Sequence, residues 1–334
     1  MSNPPIYPLL FNPIYQYRLW GGRKLAKLLA KPLPKGEPIG EAWLLSDRAD
    51  HASQVLNGSL KGMTITDLMK HYQTVLMGKF ADHYERFPLL LKFLDCKEVL
   101  SVQVHPADDQ LQYIPKGDSG KTEAWVVVET GKKARIYAGL TPGTTAENLK
   151  RSITDKHVAD HLHSFTPKVG DGIFIKSGTV HTLGGAVVFE VQENSDTTFR
   201  LYDWDRTDVQ TGKPRALQVK EALACIDFKQ VNIGPVKPVV VKQRGLNKEK
   251  LFDNDHFKLW RVKSGVAFMV GAKNEPRILI GIEGHGSVVF EGVNYPLRKG
   301  SVMLLPAILG ECSCLPTGAV TLLEIGIPSK KHTK

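Results

Sequence analysis

Apolar and polar side chains alternate along much of the chain with the period of two that marks half-buried strands. The clearest stretch is Val99-Leu100-Ser101-Val102-Gln103-Val104-His105-Pro106. Leu100, Val102 and Val104 point to one face and Ser101, Gln103 and His105 to the other, and Pro106, with no N–H for a ladder, ends the run. A wet strand face normally carries Lys, Glu or Thr. An amide and an imidazole two residues apart instead suit a single ion or ligand inside a closed sheet. A strand is also expected at 40–46, and short β-rich runs at 88–94, 124–129, 134–139, 172–175, 186–192 and 198–202, most bounded by Gly, Pro, Asp or Lys. Helical spacing is confined to 23–30, to 64–77 with Thr64 or Thr66 as cap and Gly78 as stop, and to 145–153, 156–165 and 218–228. Beyond a Gly/Pro-bearing linker at 231–238 the pattern holds only strands, at 239–241, 258–262, 277–282, 287–290, 302–305 and 320–325.

Many short strands with frequent turn residues predict a sandwich or closed double-sheet roll rather than a parallel βαβ sheet. The expected organisation is a mainly β first domain with helical insertions over 1–230, the linker, and a smaller all-β domain over 239–334. A faint repeat joins the two. Gly170-Asp171-Gly172 leads through an apolar strand to His181, and Gly300-Ser301-Val302 leads through another to Glu311. The second copy brings no paired histidine, so the chemistry is expected in the first.

Composition changes this picture little. With 334 residues, 42% hydrophobic and 23% charged, the chain has the make-up of a soluble globular protein large enough for two real cores. No apolar run reaches bilayer length and Met1-Ser2-Asn3-Pro4-Pro5 has no signal-peptide character, so a cytoplasmic location is expected, with no membrane partner. Cys96, Cys225, Cys312 and Cys314 are too scattered for a disulfide framework, and Cys312 and Cys314 read as small hydrophobes on one strand face. A net charge of +10 raises the question of nucleic acid. Part of it is the Lys330–Lys334 tail, the rest is dispersed, and no nucleic-acid motif accompanies it; a small anionic substrate fits as well. A monomer or weak homo-oligomer is expected.

Three further features join the opening stretch. Glu123 stands in the otherwise apolar run Glu123-Ala124-Trp125-Val126-Val127-Val128, where a carboxylate is costly unless paired or metal-bound. His181 follows the Ser177-Gly178-Thr179 turn. Two imidazoles, a carboxylate and a nearby amide are what a catalytic zinc site requires, with iron or manganese equally compatible with the ligand types. Arg200, sharing a face with Tyr202 and Trp204, suits a planar or phosphorylated anion. Two patterns are set aside. Gly120-Lys121-Thr122 has Pro115 where a P-loop needs glycine, and His157 and His161 lack the glutamate of HExxH.

In its motifs the chain resembles the short bacterial kind of type I mannose-6-phosphate isomerase (phosphomannose isomerase). The motifs are Trp20-Gly21-Gly22, Gly40-Glu41-Ala42-Trp43 with Ser46, Phe87-Pro88-Leu89-Leu90-Leu91-Lys92-Phe93-Leu94-Asp95, Ser101 to Pro106, Lys121 to Trp125, Ser177 to His181 and Asp196 to Arg200. The resemblance implies a cupin fold, a double-stranded β-helix or jelly-roll barrel with accessory helices and a second, smaller, degenerate cupin-like domain. It also implies one zinc ion and interconversion of D-mannose 6-phosphate with D-fructose 6-phosphate through an enediol(ate). By position His105, Glu123 and His181 fall on the zinc ligands, Gln103 on a further ligand of the longer members, and Arg200 on an active-site residue. Arg200 is then expected to stabilise the enediolate or the phosphate, Lys121 to assist proton movement or hold phosphate, and Ser101 to accept the phosphate end. One departure is Lys176, where the family usually has proline before the turn. Competing expectations are a cupin enzyme of another class, such as an epimerase or oxygenase, and a non-catalytic sugar-phosphate-binding cupin.

Overall fold

The computed structural model describes residues 6–328, so the Met1–Pro5 start and the Lys330–Lys334 tail lie outside the described residues. The alternating runs become strands, and nine of them make one curled sheet. Its centre is His181–Glu193, paired with Leu89–Cys96 and Val102–Val104 on one side and Glu123–Leu140 on the other. Ile14–Gly22 and Ile39–Leu45 extend the sheet beyond Leu89–Cys96, and Phe199–Tyr202 extends it beyond Val102–Val104. Glu123–Leu140 carries Leu162–Phe165 and Gly172–Ile175.

Glu123 pairs with Gln192, near one end of the central strand, whereas His181 begins the other end. A straight strand from 181 to 192 would rise about 36 Å. Yet Glu123 Oε1 lies 3.3 Å from His181 Nε2. The sheet therefore turns a corner between them, at Gly184-Gly185. Pairing runs from Glu123 to Thr130 against 186–192, skips 131–134, and resumes with Arg135 opposite Gly184. Gly185 has φ +72° and a Cβ there would lie 2.9 Å from Ala134 Cα; one on Gly184 would lie 2.8 Å from Val99 Cα. Both the turn and the close approach require glycine.

The second roll packs a sheet of seven strands against one of four. Val262, Leu279, Val288, Met303, Cys312, Cys314 and Leu322 fill its interior, with both cysteines on the apolar face as expected. The repeat is visible in three dimensions. Gly172–Ile175 and Val302–Leu305 are both strands, and both His181 and Glu311 open the strand that follows. The first strand of the chain, Leu9–Leu10, pairs with Met303 and Leu304 and so crosses the expected division at 230. One apolar cluster, including Leu9, Ile65, Phe80, Phe93, Phe189, Ile278, Leu304 and Ile325, runs through both rolls. Among the described residues no helix is long and apolar enough to cross a membrane.

The helix expected at 64–77 forms as Ile65–Met77, with Thr64 and Asp67 capping each other and Gly78 at φ +57° ending it. Four expectations are corrected. The segment 156–165 is a 3-10 turn, Val158–His161, followed by strand Leu162–Phe165, because its apolar residues face the sheet and not a helix stripe. The runs 124–129 and 134–139 are one strand across the corner. The opening stretch is a strand only at Val102–Val104, since the Leu100 carbonyl is taken by the Trp204 indole N–H and the Thr182 hydroxyl. Strands Leu246–Asp253, Phe268–Gly271, Val293–Arg298 and Glu311–Pro316 add to the expected runs: the first and third are rich in polar residues, the second has only four residues, and the fourth alternates only through Cys312 and Cys314.

Gly185→Ala should lower the unfolding free energy by about 1–3 kcal/mol through the strained φ and the clash with the Ala134 backbone. A urea titration checks this; an unchanged midpoint would show that the corner does not need glycine.

Candidate metal centre and active site

Glu123, His105 and His181 are each about 1% exposed or less. His181 opens the central strand with Gln103 directly across from it, and Glu123 opens the strand on the other flank. His105 stands just beyond Val102–Val104. Glu123 Oε1 is 3.3 Å from His181 Nε2, and Glu123 Oε2 is 3.4 Å from His105 Nε2. Each imidazole donates its Nδ1–H to a backbone carbonyl, His105 to Thr197 at 3.0 Å and His181 to Thr179 at 2.8 Å. That fixes the tautomer and turns both Nε2 lone pairs on the carboxylate. Burial, with the positive charge of Lys121, pushes the His105 ring down to about 3, and burial also lowers His181, so both are neutral.

These donors lack what buried polar groups normally have. His105 Nε2 and both Glu123 oxygens have no hydrogen-bond partner among the described residues. Their ligand atoms lie within 4.8 Å of one another. Two neutral imidazoles and a carboxylate converging in this way fit one divalent cation. The Gln103 amide is 3.1 Å from His181 Nε2, and a half-turn of that amide brings its oxygen to the same point. The turn with Lys176 forms without the usual proline, closed by the Thr179 N–H on the Lys176 carbonyl at 3.0 Å.

A cavity of about 420 Å³ opens over this centre, and Ser101, Gln103, Lys121 and Arg200 all line it. Lys121 Nζ sits 3.0 Å from Glu123 Oε2. Burial opposes its charge, but Glu123, Glu190 and Asp196 outweigh that and push the ammonium up to about 12. The positive charge of the same Lys121 holds the Glu123 carboxyl well below the usual range against its burial. Arg200 lies opposite Gln103 across the strand pair.

Sequence reasoning gave no role to a second set of cavity residues: Arg18, Glu41, Lys92, Glu190 and Arg215. Trp43, Lys92, Glu190 and Trp125 stand in one row across four neighbouring strands. Lys92 Nζ is 3.4 Å from Glu190 Oε1 and 5.1 Å from the centre of the Trp43 ring. The indoles of Trp43 and Trp125 donate to Glu41 and Glu190 at 2.7 and 2.8 Å. Arg18 grips Glu41 with two nitrogens at 2.9 and 3.1 Å. The available signal was a single charge inside an apolar strand, Lys92 in 89–94 and Glu190 in 187–191. His157, set aside earlier, is exposed and pairs with Asp160 at 3.7 Å. A separate cavity of about 510 Å³ is lined in part by Asp108, Glu193 and His256. Those groups also lie within reach of one ion. Their carboxylates are already satisfied, Glu193 by the Thr122 N–H and His256, Asp108 by the Gly120 N–H.

Residues 9–123 match the family description "Phosphomannose isomerase type I, catalytic domain". Over 310 residues, 91% of this chain and 94% of the relative, the sequence is 36% identical to mannose-6-phosphate isomerase ManA of Bacillus subtilis. The chain belongs to the type I mannose-6-phosphate isomerase family. Within that family it is also 33% identical to the mannose-6-phosphate isomerase of Streptococcus mutans, over 90% of this chain and 92% of the relative. Its fold matches the crystal structure of the Bacillus subtilis mannose 6-phosphate isomerase with a TM-score of 0.88 at 30% identity, covering 96% of this chain and 99% of that one. The mainly β cupin architecture implied by the motifs is thus the fold of this family member.

Burial opposes ionisation of Glu41, but Arg18, Lys92 and the Trp43 indole hold its carboxyl at about 2, against 4.5 for a free glutamate. Its contribution to stability is complete above pH 4.5 and is lost as the pH falls towards 2. In chelator-treated protein, Glu41→Gln should lose less stability than wild type between about pH 5 and about pH 2.5, by on the order of 2 kcal/mol. Urea unfolding at several pH values measures this, and parallel curves for the two proteins would contradict it.

Proposed function

We propose that the chain is an aldose–ketose isomerase that interconverts D-mannose 6-phosphate and D-fructose 6-phosphate. A zinc ion would be held by His105, Glu123 and His181, with Gln103 as fourth ligand. One observation carries the reading: three buried ligand groups lie within 4.8 Å of one another, His105 Nε2 and both Glu123 oxygens without a hydrogen-bond partner among the described residues, beneath a polar cavity whose walls bear Lys121 and Arg200. Family membership gives the substrate class, since the relatives are named for this activity.

The reaction moves one proton from C2 of the aldose to C1 of the ketose through an enediol(ate), while the C1 oxygen gains a proton and the C2 oxygen gives one up. When bound, the divalent cation supplies Lewis-acid polarisation of the sugar oxygens without redox change. Lys121 lines the cavity beside Glu123 and donates a hydrogen bond where negative charge develops on oxygen. It serves as a positioned hydrogen-bond donor. Arg200 carries a fixed positive charge to the cavity wall, and Ser101 adds a neutral hydroxyl. Glu123 stays ionised, and its remaining partner Lys121 keeps the carboxylate oriented. A binding protein on the same fold would hold the sugar phosphate without turning it over.

Mannose 6-phosphate added to the purified protein should yield fructose 6-phosphate. Dialysis against chelator should abolish turnover, and zinc should restore it. Glu123→Gln should keep the fold by circular dichroism, lose bound metal by elemental analysis, and lower kcat by at least about a hundredfold. Binding with no product from the metal-loaded wild type would refute the enzymatic reading, and full activity in Glu123→Gln would remove Glu123 from the site.

A further inference from the structure

We propose that the second roll positions the site in the first: His256 anchors Glu193, and Glu193 holds the backbone of Thr122, the residue between Lys121 and Glu123. The inference rests on the isomerase reading above and adds to it a positioning residue supplied from beyond the linker at 231–238. His256 reaches across from the turn that joins Leu246–Asp253 to Lys258–Ser264.

The line of contacts is short. His256 Nδ1 lies 3.0 Å from Glu193 Oε1. Glu193 Oε2 accepts from the Thr122 N–H at 2.7 Å, and the Glu193 N–H donates to the Thr122 carbonyl at 3.2 Å, so one residue holds both backbone groups of Thr122. Neighbouring ties come from the first roll: Asp108 Oδ1 accepts from the Gly120 N–H at 2.9 Å, and the Pro106 carbonyl accepts from the Lys121 N–H at 3.0 Å. The tie at Thr122 continues into the second roll. There Asn254 Oδ1 accepts from the N–H groups of His256 and Phe257 at 2.8 and 3.0 Å, which shapes the turn. Phe257 is buried, and its ring and that of Phe252 each stand 6.3 Å from the ring of Phe174, within the range of aromatic contacts. Phe174 pairs with Ala124, next to Glu123. The turn that presents His256 is therefore docked beside the strand that Glu123 opens.

Charge makes the contact matter. Burial raises the Glu193 carboxyl, and His256 does most to oppose it. Burial also opposes the charge on His256, but Glu193, Asp108 and Asp255 outweigh it and raise the imidazole. Both side chains line the cavity of about 510 Å³, so a Glu193 carboxylate deprived of His256 has room to turn towards water. The buried Thr122 N–H then loses its acceptor. A shift of that backbone moves the Lys121 ammonium and the Glu123 carboxylate, which lie 3.0 Å apart, and displacement of about 1 Å at a reacting centre costs rate.

Three variants of the full-length, zinc-loaded protein test this by two readouts. Hydrogen exchange at the Thr122 amide should be about tenfold faster in His256→Ala than in wild type. In the isomerase assay kcat should fall roughly three- to tenfold while KM for mannose 6-phosphate stays within about twofold. His256→Asn, which keeps an N–H donor close to the place of Nδ1, should recover most of both. Should His256→Ala not fold, His256→Phe, which keeps a ring and loses the donor, takes its place. Unchanged Thr122 exchange would overturn the proposal. So would faster exchange with unchanged kcat, the mark of a contact that only holds the rolls together, or an Asn variant no better than Ala. A wild type without turnover, in which Thr122 exchange still depends on His256, would instead overturn the isomerase reading and leave the clamp on Thr122 standing.

Discussion

A carboxylate shut away from water governs this molecule. Glu123 is shut off from solvent with two neutral imidazoles for neighbours, and among the described residues the full charge within ion-pair distance of it is Lys121. An uncompensated buried ion of that kind is among the costliest features a fold can carry. A cation among the three donors would remove the cost, and their ligand atoms lie close enough together for one to fit. The imidazoles are locked in the tautomer that exposes their lone pairs, and the ammonium is held off to one side. The corner at Gly184-Gly185 makes this possible by bringing the two ends of one strand pair to a common point.

Around that centre the cavity walls are built from pairs of opposite charge set in apolar strands. Lys92 and Glu190 face each other across the sheet between two tryptophans whose indole N–H groups complete the carboxylates. Such an arrangement keeps a polar surface in a fixed shape without water, the condition under which a fixed dipole acts most strongly on charge developing in a substrate. The second roll repeats the step from Gly172–Ile175 to His181 as Val302–Leu305 to Glu311, with Met303, Cys312, Cys314 and Leu322 filling its interior.

What could be read from the sequence was whatever short-range chemistry dictates. The capped helix at Ile65–Met77 was legible because Thr64, Asp67 and Gly78 all act within a few residues of it. Glu123 stood out because it interrupts an apolar run and His105 because it shares the polar face of an alternating one with Gln103, and the family motifs then gave them partners. Arg215 was invisible, since it sits in a polar stretch and owes its place to Asp203 and to a cavity formed by distant strands. The fusion of 124–129 with 134–139 was missed for the same reason: Lys132 and Lys133 look like a turn, and only the partner strand's corner makes them an excursion within one strand. The segment 156–165 went wrong because a periodicity of a few residues does not separate a 3-10 turn plus strand from a helix.

The strand Leu9–Leu10, which borders Val302–Leu305, ties the beginning of the chain to nearly its end. Contacts of such long sequence separation are slow to form, because most of the chain's freedom must be lost before they return anything. During synthesis Leu9–Leu10 has no partner strand until Val302–Leu305 has followed. The first roll thus waits for the second with part of their shared apolar core uncovered. That exposed interval is when the nascent polypeptide is most open to aggregation and to chaperone capture.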